Sequence, residues 1–210
     1  MYRDCYRAQF ISEEIFNRIA ALEPHLKALV EQNRIFTATV FSYDARNLFF
    51  YWESVSERLD VETVFPGLDP YLAIWPGDES PTYYHPLIEM YRSYEPLPEE
   101  QSAWRRGGTI KPRAMMSQMI PEKLSSYIFW HYQRQGEVPG RDGKFLSIWG
   151  DGSLGLLYGE ADDRAVQNPH PAEFSTDNTP EDWGGLMIPH FVEFPDGKLY
   201  HYAEVLLTVS

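Results

Sequence analysis

A chain of 210 residues with 18 Lys and Arg against 31 Asp and Glu carries a formal charge of −13 with His neutral; that balance argues against nucleic acid, whose phosphates need concentrated Lys and Arg. At 43% hydrophobic residues the chain can bury a core, and no run approaches the ~18 apolar residues of a membrane span. The single cysteine, Cys5, excludes an internal disulfide framework and any cysteine-based zinc site.

The opening MYRDCYRAQF lacks the apolar stretch of a signal peptide, so a cytoplasmic protein with no membrane partner is expected. Residues 8–15 (AQFISEEI) run from an apolar strand into a helix start, with Ser12 placed to cap it. Residues 36–43 (FTATVFSY) alternate as a strand does, DARN at 44–47 turns the chain, and LFFYWESV at 48–55 returns it. Tyr84 to Glu89 close this half as a further strand. Residues 92–112 carry prolines, glycines and clustered charge, and 96–112 read as a linker.

The same order then recurs. SQMIPEKL at 117–124 aligns with AQFISEEI without a gap, matching Gln9 to Gln118, Ile11 to Ile120 and Glu13 to Glu122. Pro121 suits the first turn of a helix. GEVPGRDG at 136–143 separates that helix from a second hairpin, FLSIW at 145–149, GDGS at 150–153 and LGLLYGE at 154–160. Residues 161–182 are polar and rich in Asp, Asn and Pro, which suits a loop over a pocket or a surface insertion. Tyr200-His201-Tyr202-Ala203-Glu204 then repeats the closing strand of the first half.

Each half therefore runs βαββαβ, the order of a ferredoxin-like unit. The expected fold is α+β, with two tandem ferredoxin-like units forming a pseudo-dimeric α/β barrel. Residues 1–95 form the first unit, with a degenerate site; 96–112 are the linker; 113–210 form the second unit and hold the candidate site. Pairing of two such chains into a further homodimer stays open.

Chemistry concentrates on the helix after Pro121. Tyr127 and His131 are four apart and share one face, with Trp130 beside them. An imidazole takes and gives protons near neutral pH, and a neighbouring phenol can bond a substrate hydroxyl. A histidine on an aromatic helix face serves structure as readily as catalysis. The repeat puts Leu22 opposite His131 and Arg18 opposite Tyr127, so the first half lacks the pair. Tyr200, Tyr202 and Glu204 share one strand face, which suits sugar hydroxyls or a solvated edge. Trp75, Tyr43 and His85 could line a pocket in the first half or fill its core. His170, His190 and Glu193 are spaced irregularly and no HExxH occurs, so no metal is expected. No GxGxxG, P-loop or GxSxG is present, and no cofactor is expected.

Gln118, Pro121, Tyr127 and His131 keep residue types and spacings that resemble the L-rhamnose mutarotase family of dimeric α/β barrels. Tyr43 to Phe50 (YDARNLFF) is similar to that family's second hairpin, with its Ala-Arg-Asn-Leu. Glu89-Met90-Tyr91 and Glu204-Val205-Leu206 are similar to its closing segment, and Ser175-Thr176-Asp177 with Trp183 to its Ser-Thr-Asp and tryptophan pair. The chain departs by having Gly184-Gly185 after a single tryptophan and by its doubled length. The resemblance implies an isomerase that exchanges the anomers of a small neutral sugar without a cofactor. His131 and Tyr127 would be its catalytic pair, and Trp183, Trp130, Tyr200 and Glu204 its substrate contacts. Two alternatives stand beside it. One is a non-catalytic carbohydrate-binding or sensing protein; the other is an α/β-barrel monooxygenase, cofactor-free or haem-linked.

Overall fold

The computed structural model describes residues 1–75, 82–105, 110–161, 163–167 and 169–210. Residues 106–109 of the expected linker, and 162 and 168 of the irregular stretch, lie outside the described residues. The chain divides into two units, each α+β. Unit 1 takes Met1–Leu87, Pro96–Pro112 and Ala203–Ser210; unit 2 takes Ile88–Glu95 and Arg113–Tyr202. Among the described residues no helix is long and apolar enough to cross a membrane.

Unit 1 runs β1 (Tyr2–Gln9), α1 (Glu14–Ala20), α2 (Glu23–Glu31), β2 (Ile35–Tyr43), β3 (Asn47–Ser54), α3 (Val61–Val64), β4 (His85–Pro86) and α4 (Pro98–Gln101). Its strands lie in the order β4-β1-β3-β2, and residues 204–209 add antiparallel to β2. All pairings described within it are antiparallel. Every residue of β3 is buried, which explains why NLFFYWES reads as a continuous apolar run instead of alternating: it is a central strand covered on both faces. Ile15, Ile19, Leu26 and Leu29 project from α1 and α2 into a core that includes Phe50, Trp52 and Phe65.

Two local devices shape the start of this unit. Asp44 adopts φ of +56°, and its Oδ1 accepts the backbone N–H groups of Arg46 (2.8 Å) and Asn47 (3.0 Å), an Asx turn that holds the β2–β3 hairpin. Ser12 Oγ accepts the Glu14 N–H at 3.2 Å, but Glu13 occupies the N-cap position of α1, one residue later than the sequence predicts.

Within the stretch predicted as a linker, α4 forms and Trp104 is buried. Trp104 Nε1 donates to Glu53 at 2.8 Å, and Arg105 donates twice, at 2.7 and 3.0 Å. Tyr51 donates to the same carboxylate at 2.7 Å, and Arg3, directly opposite Glu53 in the β1–β3 register, stands 3.8 Å away. Burial alone would raise the Glu53 carboxyl. Arg105, Arg3 and the Tyr51 hydroxyl outweigh it and hold the group at about 2.

Unit 2 comprises β5 (Ile88–Arg92), β6 (Pro112–Met119), α5 (Leu124–Glu137), β7 (Ser147–Asp151), β8 (Leu154–Glu160), α6 (Trp183–Met187), β9 (Phe191–Val192) and the first residues of β10 (Tyr200–Val209). The strand order is β6-β8-β7-β5, with β9 on the other side of β6. The β7–β8 hairpin turns at Gly152, whose φ of +60° is the left-handed geometry a side chain would resist. A 3₁₀ turn over Pro121–Lys123 leads into α5, as a first-turn proline allows. Helix α5 buries Tyr127, His131 and Arg134, one stripe at spacings of four and three.

Candidate functional site

Tyr127 and His131 of that stripe face a pocket of about 220 Å³, open on one side and lined wholly by residues of unit 2. Met115 and Ser117 come from β6, Ile148 from β7 and Leu157 from β8. Trp183 and Met187 come from α6, Phe191 from β9 and Tyr200 from β10. Tyr127 and His131, with Gly184 and Ile188, complete the wall. The aromatic richness of the chain thus serves both core and cavity: Phe50 and Trp52 pack the first unit, while Tyr127, Trp183, Phe191 and Tyr200 surround this space.

His131 is 5% exposed. Its Nδ1 lies 2.8 Å from the Tyr127 carbonyl, which can only accept, so Nδ1 carries the hydrogen and Nε2 holds the lone pair. Burial lowers its pKa to about 4, so the ring is neutral at pH 7. Aromatic groups fix its plane. It meets Tyr91 at 4.8 Å and Trp183 at 5.0 Å between ring centroids, both edge to face, and tilts against Tyr127 at 4.2 Å.

A second ring of partners stands behind these. Arg134 grips Asp142 through two bonds of 2.6 Å, Tyr91 donates to Asp142 at 3.1 Å, and the Arg134 guanidinium lies 4.6 Å from the Trp183 ring centre. Burial pushes both cavity phenols, Tyr127 and Tyr200, above the ordinary tyrosine value, and Tyr200 adds to the effect on Tyr127. Every titratable group on the described wall is therefore neutral at pH 7.

The irregular stretch also takes part. Glu137, at the end of α5, accepts bonds from Gln133 (2.6 Å), from the Thr176 hydroxyl (2.7 Å) and from the backbone N–H groups of Asn178 (2.7 Å) and Thr179 (2.9 Å). Burial would raise its carboxyl; these bonds outweigh it and hold the group well below the usual range. They pin residues 176–179 shortly before Trp183, and Asp182 then caps α6 by accepting the Gly185 N–H at 2.9 Å. Glu137→Ala is expected to strip the Asn178 and Thr179 amides of hydrogen-exchange protection while leaving those of β7 and β8 unchanged.

The neutral imidazole makes the unit acid-sensitive. An unfolded His binds protons from pH 6.5 downward and the folded one only near 4, so the stability of the buried neutral ring is present above 6.5 and lost as pH falls towards 4. Between pH 7 and 5 the native protein should lose about 2 kcal/mol more than a His131→Phe variant, measured by urea unfolding.

Of the residues predicted from sequence, His131, Tyr127, Trp183 and Tyr200 line one cavity. Trp130 packs edge to face on Phe129 at 5.2 Å, within the apolar cluster but off the cavity wall. Glu204 is exposed, lies in unit 1 and pairs across from Ser42. His190 is a satisfied structural residue: Nδ1 donates to the Met187 carbonyl at 3.2 Å, and Nε2 accepts from Ser126 at 3.0 Å. Among the described residues no group of three or more His, Cys, Asp or Glu could hold a metal ion. Met115, Met187 and the Arg134–Asp142–Tyr91 set escaped the sequence reading. The clue for Arg134 was its place three residues beyond His131 on the same helical face.

No family model matches this chain, and no curated protein matches it. Similar solved structures exist. A provisionally named monooxygenase from Fusobacterium nucleatum subsp. nucleatum ATCC 25586 aligns over 99% of this chain and 95% of its own, with a TM-score of 0.50 and 9% identity. An anthrone oxidase-like protein aligns over 99% and 92%, with a TM-score of 0.40 and 10% identity. A heme-binding protein from Thermus thermophilus aligns over 98% and 88%, with a TM-score of 0.32 and 13% identity. The first of these likenesses is one of fold.

These findings correct the resemblance to L-rhamnose mutarotases, and with it the isomerase reading and the anomer exchange it implied. The solved structure whose fold this chain shares is provisionally named as a monooxygenase, not as a mutarotase or an isomerase. The walls give the physical reason. A free sugar brings several hydroxyls, each costly to bury without a partner, and this cavity meets it mostly with thioether, aliphatic and indole surface.

Proposed function

We propose that unit 2 is an oxygen-dependent, monooxygenase-type site for a small aromatic substrate that supplies its own electrons. The observation that carries this reading is a neutral, outward-facing imidazole nitrogen set among aromatic and thioether walls. The fold likeness to a provisionally named monooxygenase is consistent with it. We also propose that the two units are tandem ferredoxin-like repeats. The strand orders β4-β1-β3-β2 and β9-β6-β8-β7 correspond. So do two tyrosine–glutamate pairs, Tyr51 to Glu53 on β3 and Tyr158 to Glu160 on β8.

Haem does not fit this cavity. His131 is the one histidine on the described wall, and its Nε2 could bind the iron. No Lys or Arg on the described wall would meet the propionates. Titration with haem is expected to give no Soret band of a histidine-ligated complex.

The chemistry balances without another reductant. A phenol and O₂ give a quinone and water: one oxygen atom forms the new C–O bond, the O–O bond breaks, and the other oxygen leaves as water. The substrate supplies all four electrons. In the bound state His131 Nε2 accepts the substrate hydroxyl's hydrogen bond. Losing an electron makes a phenol strongly acidic, so even an imidazole with a pKa of about 4 then takes that proton. Tyr127 holds the imidazole in the required tautomer through its backbone carbonyl. An oxygen electrode with 1-naphthol tests the reading: one O₂ consumed per naphthoquinone formed supports it, and no consumption above a protein-free control refutes it.

A further inference from the structure

We propose that the Tyr127 hydroxyl donates to a carbonyl oxygen of the ligand, a second contact beside His131, so that the substrate class is a hydroxylated aromatic ketone. This contact rests on the oxidative reading of the same pocket and adds a recognition point to it.

Tyr127 is 5% exposed, and its ring lines the pocket. Its backbone carbonyl is committed to His131 Nδ1 at 2.8 Å, but its hydroxyl bonds no described residue. Three other buried phenols spend theirs on carboxylates: Tyr51 on Glu53 at 2.7 Å, Tyr91 on Asp142 at 3.1 Å and Tyr158 on Glu160 at 3.2 Å. A buried hydroxyl without a partner is costly, and such groups are normally met. The Tyr127 hydroxyl is not sealed in, and for so buried a residue the space it reaches is the pocket.

The aromatic wall runs in sequence from Trp183 to His131 (5.0 Å between ring centroids), Tyr127 (4.2 Å), Phe191 (5.6 Å) and Tyr200 (5.3 Å). No hydrogen bond joins the Tyr127 hydroxyl to the imidazole, so the two remain separate points. Nε2 can only accept, while the phenol gives a hydrogen. The hydroxyls of Ser117 and Tyr200, also on the wall, bond no described residue either. The side chains thus offer three O–H groups against one nitrogen that only accepts. A phenol donates better than it accepts, because its ring draws on the oxygen lone pair. A carbonyl is the matching acceptor, and conjugated to an aromatic ring it keeps the ligand flat between Trp183 and Phe191. Water reaches the pocket from its open side, so exchanging water for a carbonyl is worth one net hydrogen bond, about fivefold in affinity.

Three probes separate the two contacts. Acetophenone carries the carbonyl without the hydroxyl, 4-ethylphenol the hydroxyl without the carbonyl, and ethylbenzene neither. Ligand-observed NMR titrations are run anaerobically at about pH 6, where the His131 ring is neutral. Tyr127→Phe keeps the ring and the backbone carbonyl that orients His131. It should weaken acetophenone about fivefold and leave ethylbenzene and 4-ethylphenol unchanged, whereas His131→Phe should weaken 4-ethylphenol alone. In the native protein the acetophenone methyl protons should show Overhauser contacts to the Tyr127 ring, a readout that depends on no variant. Failure of acetophenone to bind, equal affinity for native protein and Tyr127→Phe, or methyl contacts that miss Tyr127 would each overturn the proposal. If acetophenone behaves as stated and 1-naphthol consumes no oxygen, the carbonyl contact stands and the oxidative reading falls. Oxygen consumption with acetophenone indifferent to Tyr127→Phe sinks the carbonyl contact alone.

Discussion

Glu53→Gln is expected to destabilise unit 1 by about 3–5 kcal/mol, the scale of breaking a buried ion pair. The carboxylate is fully buried and answers four groups: Arg105, Arg3, Tyr51 and Trp104. Removing its charge weakens the electrostatic environment of two buried guanidinium groups, since the Arg3 and Arg105 side chains are only 1% and 6% exposed. Urea unfolding followed by the buried Trp52 and Trp104 fluorescence measures the loss. Arg105→Met in the Glu53→Gln background should recover part of it, because one of the two buried cations facing the neutralised carboxylate is then gone. A loss below ~1 kcal/mol would show that the network contributes little.

The second large effect concerns turnover. His131→Phe keeps a flat ring in the cavity but removes the acceptor nitrogen. The rate of aromatic oxidation should fall by about 10²–10⁴, the usual contribution of a positioned acid or base. The native pH profile follows from the lowered pKa. Neutral imidazole is the active form, so the rate should hold from neutral pH down to about 5 and drop as the ring protonates near 4. An inflection at the ordinary histidine value of about 6.5 would mean the ring is not desolvated as the structure has it.

Much of the architecture was legible in the residues. FTATVFSY and LFFYWESV became β2 and β3, and the Asp-Asn turn between them works through the Asp44 carboxylate. Pro121 does open the turn before α5, and the four-residue spacing of Tyr127 and His131 puts both on the buried stripe. Periodicity reports such facts because it depends on neighbours along one element. The contacts that make the cavity depend on elements far apart in sequence, so Met115, Ile148 and Met187 gave no signal.

The misreading of substrate has a similar cause. Residue types at matching spacings indicate where a side chain points, but not how polar the opposite wall is. Glu204, offered for sugar hydroxyls on the strength of sharing a face with Tyr200, is an exposed residue of unit 1. Apolar walls and a lowered histidine pKa are properties of the assembled unit. The stretch 96–112 shows the same limit: its prolines and charges suggest a tether, while Trp104 and Arg105 reach a buried carboxylate about fifty positions earlier in the chain.

Mass spectrometry of the quinone formed from 1-naphthol under ¹⁸O₂ tests the oxidative reading most directly. The account predicts one ¹⁸O atom in each product molecule, the other appearing in water, with a yield that collapses in His131→Phe. Product without label, or labelled product formed equally well by the variant, would contradict it.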